Sequence, residues 1–112
     1  MKRIDGNLLR GHLETVILAI LERREAHGYE IMQHLDEESR GMLGLKEGTL
    51  YPVLYRLEEK GFIAARWEAA DVPRKGPRRR IYRVTPKGMR ELEKRREAWT
   101  TFVSVIGKMV EA

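Results

Sequence analysis

Six basic side chains and no acid lie within ten residues: Arg74, Lys75, Arg78, Arg79, Arg80 and Arg83. Taking those six from the net charge of +5 leaves the rest of the 112-residue chain at −1, so the basicity is a focused patch. A focused patch is the footprint of a polyanion partner, because lysine and arginine neutralise phosphates and release their counterions. A solvated loop is the bland alternative. Pro73, Gly76 and Pro77 interrupt the run and keep it extended, free of ladder hydrogen bonds. Arg74, Lys75, Arg78 and Arg79 are then placed to clamp a phosphate backbone or to reach into a minor groove, where arginine is favoured.

A second constellation precedes the first. Lys46, Thr49, Tyr51, Pro52, Tyr55 and Arg56 lie off the face that carries Leu50, Leu54 and Leu57. On a helix, that outer face offers hydroxyls to phosphates or base edges and a guanidinium that can fork onto guanine. Glu47 repels phosphates but could accept from cytosine. Tyr51 or Tyr55 could instead be core residues with satisfied hydroxyls. A third pattern closes the chain: Met89, Leu92, Arg96, Trp99, Val103, Ile106 and Val110 alternate steps of three and four, broken only by Arg96 and widened by Phe102 and Met109. That is the spacing of a helix–helix seam. Part of the stripe packs on the first helix of its own domain. A helix of this length is too long for so small a domain to cover, so a second copy is expected to cover the rest. The seam residues are Leu92, Arg96, Trp99, Phe102, Val103, Ile106 and Val110.

Catalysis finds no support. The chain has no cysteine, no nucleophile elbow, no phosphate-cradling glycine loop and no paired-histidine zinc helix, and His12, His27 and His34 are not at metal-ligand spacings. The expectation is a non-enzyme without cofactor or metal. Absence of cysteine fits a reducing cytoplasm. No apolar run reaches the length of a membrane span, and the first ten residues do not read as a signal peptide.

The elements that must position these residues follow from periodicity. Leu9, Leu13, Val16, Ile17, Ile20 and Leu21 predict a first helix over about 8–24. Gly28 to Glu38 reads as a second helix, Ser39 to Gly44 as a turn, and Glu47 to Lys60 as a third helix stopped by Gly61. Thr49 could cap that third helix and leave Pro52 in its first turn. With an earlier start, Pro52 would bend the helix slightly. Residues 62–68 and 79–84 then read as two strands joined by an extended hairpin. Thr85-Pro86 starts a last helix that runs to about Val110. The order predicts a mainly α fold with a small β-hairpin: a winged helix-turn-helix over 1–85 and a C-terminal dimerisation helix over 86–112, forming one compact unit.

The run from Gly48 to Gly61 (GTLYPVLYRLEEKG) resembles the signature of the PadR family of bacterial regulators. The run from Arg79 to Gly88 resembles that family's second wing strand and its junction to the final helix, and Gly28-Tyr29-Glu30-Ile31 resembles the start of its second helix. The similarity spans about Leu8 to Met109 and fits the short, single-domain branch. It implies a homodimeric repressor on an inverted-repeat operator in double-stranded DNA, often released by a small molecule. It also places Trp99 where two subunits face each other near the first helix. Leu8, His12 and Thr15 share one side of that helix, and with Trp99 and Val103 they form a candidate site for a flat aromatic or drug-like ligand. A buried core tryptophan is the alternative. Another function class stays open: a winged-helix protein-interaction module without a DNA role.

Overall fold

The computed structural model describes Ile4 and residues 6–9, 11–71, 73 and 76–112, leaving aside the side chains of Asn7 and Leu8. The first helical segment is divided. A short α1 (Gly6–Leu9) ends before Gly11, whose φ of +90° lies in the region that favours glycine, and α2 (Leu13–Arg23) starts anew after His12. This corrects the single helix expected over 8–24. The apolar period runs straight through the break and conceals it. Along α2, Leu13, Ile17, Leu18, Ile20 and Leu21 are buried.

A two-residue strand β1 (Ala26–His27) leads into α3 (Gly28–Glu38). His27 caps that helix. Its Nδ1 accepts from the Glu30 N–H at 3.3 Å, and Glu30 Oε1 accepts from the His27 N–H at 3.1 Å. This is a capping box with histidine in place of serine or threonine. The turn that follows passes through Arg40 and Gly41, both with positive φ, and Ser39 Oγ accepts from the Leu43 N–H at 2.8 Å. Helix α4 (Glu47–Glu59) starts at Glu47 with no side-chain cap, so Thr49 is not its cap and Pro52 lies inside the helix. The N–H that Pro52 lacks is the one that would reach the Gly48 carbonyl.

The hairpin strands are β2 (Ile63–Trp67) and β3 (Arg80–Val84), paired antiparallel from Ile63 opposite Val84 to Trp67 opposite Arg80. The expected hairpin is therefore part of a three-stranded sheet, because β1 adds to the free edge of β3, with Ala26 opposite Tyr82. Two residues are too short to show an alternation, so only the sheet reveals them. Helix α5 (Pro86–Glu111) opens as the sequence predicts. Thr85 Oγ1 accepts from the Gly88 N–H at 3.0 Å and donates to the Gly61 carbonyl at 2.6 Å, and Pro86 stands at the first position.

The core gathers Ile17, Leu18, Ile31, Leu35, Leu50, Leu54, Leu57, Ile63 and Leu92, all essentially inaccessible. Each such side chain contributes about 1.5–3 kcal/mol of transfer free energy. Leu92 thus sits in the domain's own core and cannot join a seam. The radius of gyration is 15.7 Å, against about 13 Å for a compact chain of this length. The excess reflects α5, whose second half projects from the winged domain with Trp99, Phe102, Val103, Ile106, Met109 and Val110 exposed. No described helix is long and apolar enough to cross a membrane.

Candidate nucleic-acid interface and the cavity beside it

Helix α4 buries Leu50, Val53, Leu54 and Leu57 and turns its polar side outward. Lys46, Thr49, Pro52 and Arg56 are exposed, as are Tyr51 at 43% and Tyr55 at 66%, so neither tyrosine is a core residue. Tyr51 nonetheless has a packing role. Its phenol end crosses the start of α3, where a Cβ on Gly28 would stand 2.3 Å from Oη. Glu47, awkward beside phosphates, occupies the first position of α4, where the helix dipole favours an acid. Arg56 is not wholly free, because its Nε lies 3.6 Å from Glu14 on α2.

The basic hairpin divides into residues that face solvent and residues that hold the wing in place. Arg74 and Lys75, two of the expected clamp residues, lie outside the described residues. Arg78 is exposed and forks Nε and Nη2 onto the Glu68 carbonyl at 3.1 and 2.8 Å, stapling the two arms of the hairpin. Arg79 is half-buried, with Nη1 2.7 Å from His27 Nε2, so it ties the wing to the cap of α3. Arg80 pairs with Glu58 of α4 at 2.9 Å and lies over the Trp67 and Tyr82 rings at 5.6 and 5.9 Å. One part of the patch therefore orients the wing against α3 and α4. Arg78 and Arg83 present charge outward. The role of His27 is missed from sequence, although His27-x-x-Glu30 before an apolar run carries the spacing of the box.

A cavity of about 750 Å³ opens between α2, the end of α3 and α5. It brings together His12, Thr15 and Trp99 of the expected ligand set. The His12 and Trp99 rings meet edge-to-face at 5.2 Å, and Phe102 stacks on Trp99 at 6.1 Å. Trp99 is 51% exposed, so it is not a core tryptophan within this chain. Val103 does not line this cavity, and the Leu8 side chain lies outside the described part. Arg96 does not stand free in the seam. It turns to α2 and forks onto Glu22, with Glu93 accepting at 2.9 Å.

The family described as "Transcriptional regulator PadR-like family" matches this chain over residues 17–94. An uncharacterised protein X of Lysinibacillus sphaericus is 32% identical over 96% of both chains. The structure of a transcriptional regulator from Clostridium thermocellum, 32% identical, superposes with a TM-score of 0.85 over 96% of this chain and 98% of its own. The negative transcriptional regulator PadR of Bacillus subtilis is 30% identical over 71% of this chain and 42% of its own length. Its structure in complex with operator DNA superposes with a TM-score of 0.64 at 29% identity, over 77% of this chain and 46% of that one. The chain thus spans less than half the length of PadR.

Proposed function

This chain belongs to the PadR-like family of transcriptional regulators, a family of regulators and not of enzymes, and we propose that it acts by binding duplex DNA as a homodimeric repressor. One observation carries the reading: the polar outer face of α4 stands beside a basic hairpin that is braced against it through Arg80 and Glu58. A helix whose outer face bears Lys46, Thr49, Tyr51, Pro52, Tyr55 and Arg56 has the groups to read a major groove, and the adjoining wing has the charge to hold the backbone. The relative solved on operator DNA supports a DNA partner. The name of PadR, a negative regulator, supports repression. The exposed apolar half of α5 supports a second copy, and a two-fold protein calls for an inverted-repeat site. The cysteine-free chain suits the cytoplasm. Release of DNA by a flat aromatic ligand at Trp99 is the regulatory half of the proposal, supported by the cavity and its ring contacts.

The test is a salt series of binding with Arg74, Lys75, Arg78 and Arg79 replaced by alanine. Affinity for every duplex should fall, and the slope of log affinity against log salt should flatten by about 0.9 for each phosphate that is no longer neutralised. Unchanged affinity and slope would leave the wing without a DNA role. Binding by neither protein would favour the interaction module instead.

A further inference from the structure

Glu14 is the second residue of α2, and its carboxylate is only 17% exposed. A carboxylate that deep needs matching charge. It finds three cations, from two other helices. Arg95 of α5 donates from Nη1 at 3.1 Å, Lys60 at the end of α4 approaches both oxygens at 3.4 and 3.5 Å, and Arg56 Nε lies at 3.6 Å. Burial alone would push the Glu14 carboxyl up. The hydrogen bond from Arg95 and the charge of Lys60 outweigh it and hold the group below the usual carboxylate range.

The Arg95 side chain and the Lys60 backbone are themselves fixed. Arg95 bonds Glu91 through Nε at 2.8 Å and lies 5.8 Å from the centre of the Phe62 ring, and the Lys60 carbonyl accepts from Lys87 Nζ at 2.9 Å. Isolated exposed ion pairs contribute little. Here the Glu14 carboxylate and the Arg95 guanidinium are mostly covered, while the Lys60 and Arg56 side chains that reach them are half-exposed.

The placement matters because of what else holds α4. Its buried side is leucine and valine, and apolar packing is non-directional: it sets how deep a helix lies better than how it is rotated. Glu14 supplies a directional contact at the last turn on the side of α2 and α5, while the Glu58–Arg80 pair supplies one toward the wing. We infer that Glu14 is the positioning residue of the reading helix, fixing the rotation of α4 against α2 and α5 and thereby the sequence preference of the protein. This rests on the DNA-binding reading of α4. A carboxylate close to that helix repels any polyanion, so its electrostatic effect alone weakens binding to all DNA. Positioning acts the other way, and only on the preferred sequence. Arg95 also lines the cavity, so whatever draws it away from Glu14 reaches the reading helix through one side chain.

The two effects separate in Glu14→Gln, which keeps shape and removes charge. The full-length variant is compared with wild type on a duplex selected from a random pool by the wild-type protein, and on a scrambled duplex of the same composition. Binding to the selected duplex should weaken about tenfold. Binding to the scrambled duplex should hold or tighten. In the DNA-free protein, amide exchange over residues 56–60 should speed up, because the last turn of α4 has lost its tether. Arg95→Met should lower the ratio of selected to scrambled binding and speed the same amides, each by less, and it replaces Glu14→Gln should the latter fail to fold. A discrimination ratio equal to that of wild type would overturn the inference, as would parallel tightening on both duplexes. If wild type itself selects no duplex, the DNA reading is what fails, and the exchange rates alone then decide whether Glu14 holds α4.

Discussion

The two halves of α5 form one continuous helix in opposite surroundings. In the first half Gly88 lies against the Phe62 backbone, Leu92 is fully buried, and Arg95 and Arg96 bond to Glu14 and Glu22 of α2. In the second half Trp99, Phe102, Val103, Val105, Ile106, Met109 and Val110 are all substantially exposed. The apolar period is the same in both. A three-four spacing therefore records that a face is buried, not what buries it. The first half belongs to the winged domain, and the second offers a surface that a monomer leaves wet. Contiguous apolar surface of that kind marks an interaction site.

The largest expected effect breaks the second half alone. Phe102→Asp with Ile106→Asp places two charges on the exposed stripe, where no intrachain core is disturbed. The dissociation constant of the proposed dimer should rise about a hundredfold or more, since central apolar anchors of interfaces can be worth about 2 kcal/mol or more each. Sedimentation equilibrium reads this directly, and a variant that stays dimeric would move the interface elsewhere. The unfolding midpoint of the monomeric species should stay where the winged core sets it.

The first half answers to a different substitution. A Cβ on Gly88 would stand 2.0 Å from the Phe62 carbonyl oxygen and 2.8 Å from Val84 Cγ2, and a backbone carbonyl cannot swing aside. Gly88→Ala should therefore cost about 2–3 kcal/mol in urea unfolding, in the range of an overpacked core. Gly107, in the second half, has nothing within 4 Å of its own built Cβ. Gly107→Ala, made in the monomeric double variant, should instead stabilise by roughly 0.5–1 kcal/mol through helix propensity. Equal effects at the two glycines would erase the distinction between the halves.

How far the sequence carries the fold can be judged at single residues. Thr85-Pro86 announces α5, and the cap forms as its residue types require. The boundaries of α3 and the outward face of α4 are legible for the same reason: local chemistry and period agree. Gly11 is invisible, because Leu9 and Leu13 keep helical spacing across a turn that only a backbone angle reveals. Thr49 looks like a better cap than Lys46, yet the helix starts at Glu47 with no side-chain cap. Leu92 and Arg96 continue the heptad but are claimed by the chain itself. The brace from Arg80 to Glu58, the anchoring of Arg79 at His27 and the hub at Glu14 join residues 22, 52 and up to 81 positions apart, and no local pattern encodes such pairs.

Trp99 stands at the boundary between the halves, and it gives the smallest and finest test. Its indole meets His12 on one side and Phe102 on the other, at the edge of a cavity whose walls include Val16, Ala19, Ile20 and Leu35. The guanidiniums along that cavity are matched: Arg23 with Glu38, Arg95 with Glu14 and Glu91, Arg96 with Glu22 and Glu93. Neutralised in this way, the walls do not turn away a cation, and an indole face adds roughly 0.5–2 kcal/mol for one. A planar cationic dye should therefore bind more tightly than a planar anionic one of the same size. Trp99→Ala should weaken the cation most, by about that amount, with Trp67 remaining as the fluorescent reporter. Because a ligand shifts an equilibrium only by its preference for one state, the same dye should lower DNA affinity in wild type and leave it unchanged in Trp99→Ala. Equal dye affinity in wild type and in a Trp99→Ala protein that still dimerises would place the ligand elsewhere. The exposed stripe of α5 would then be an interface alone.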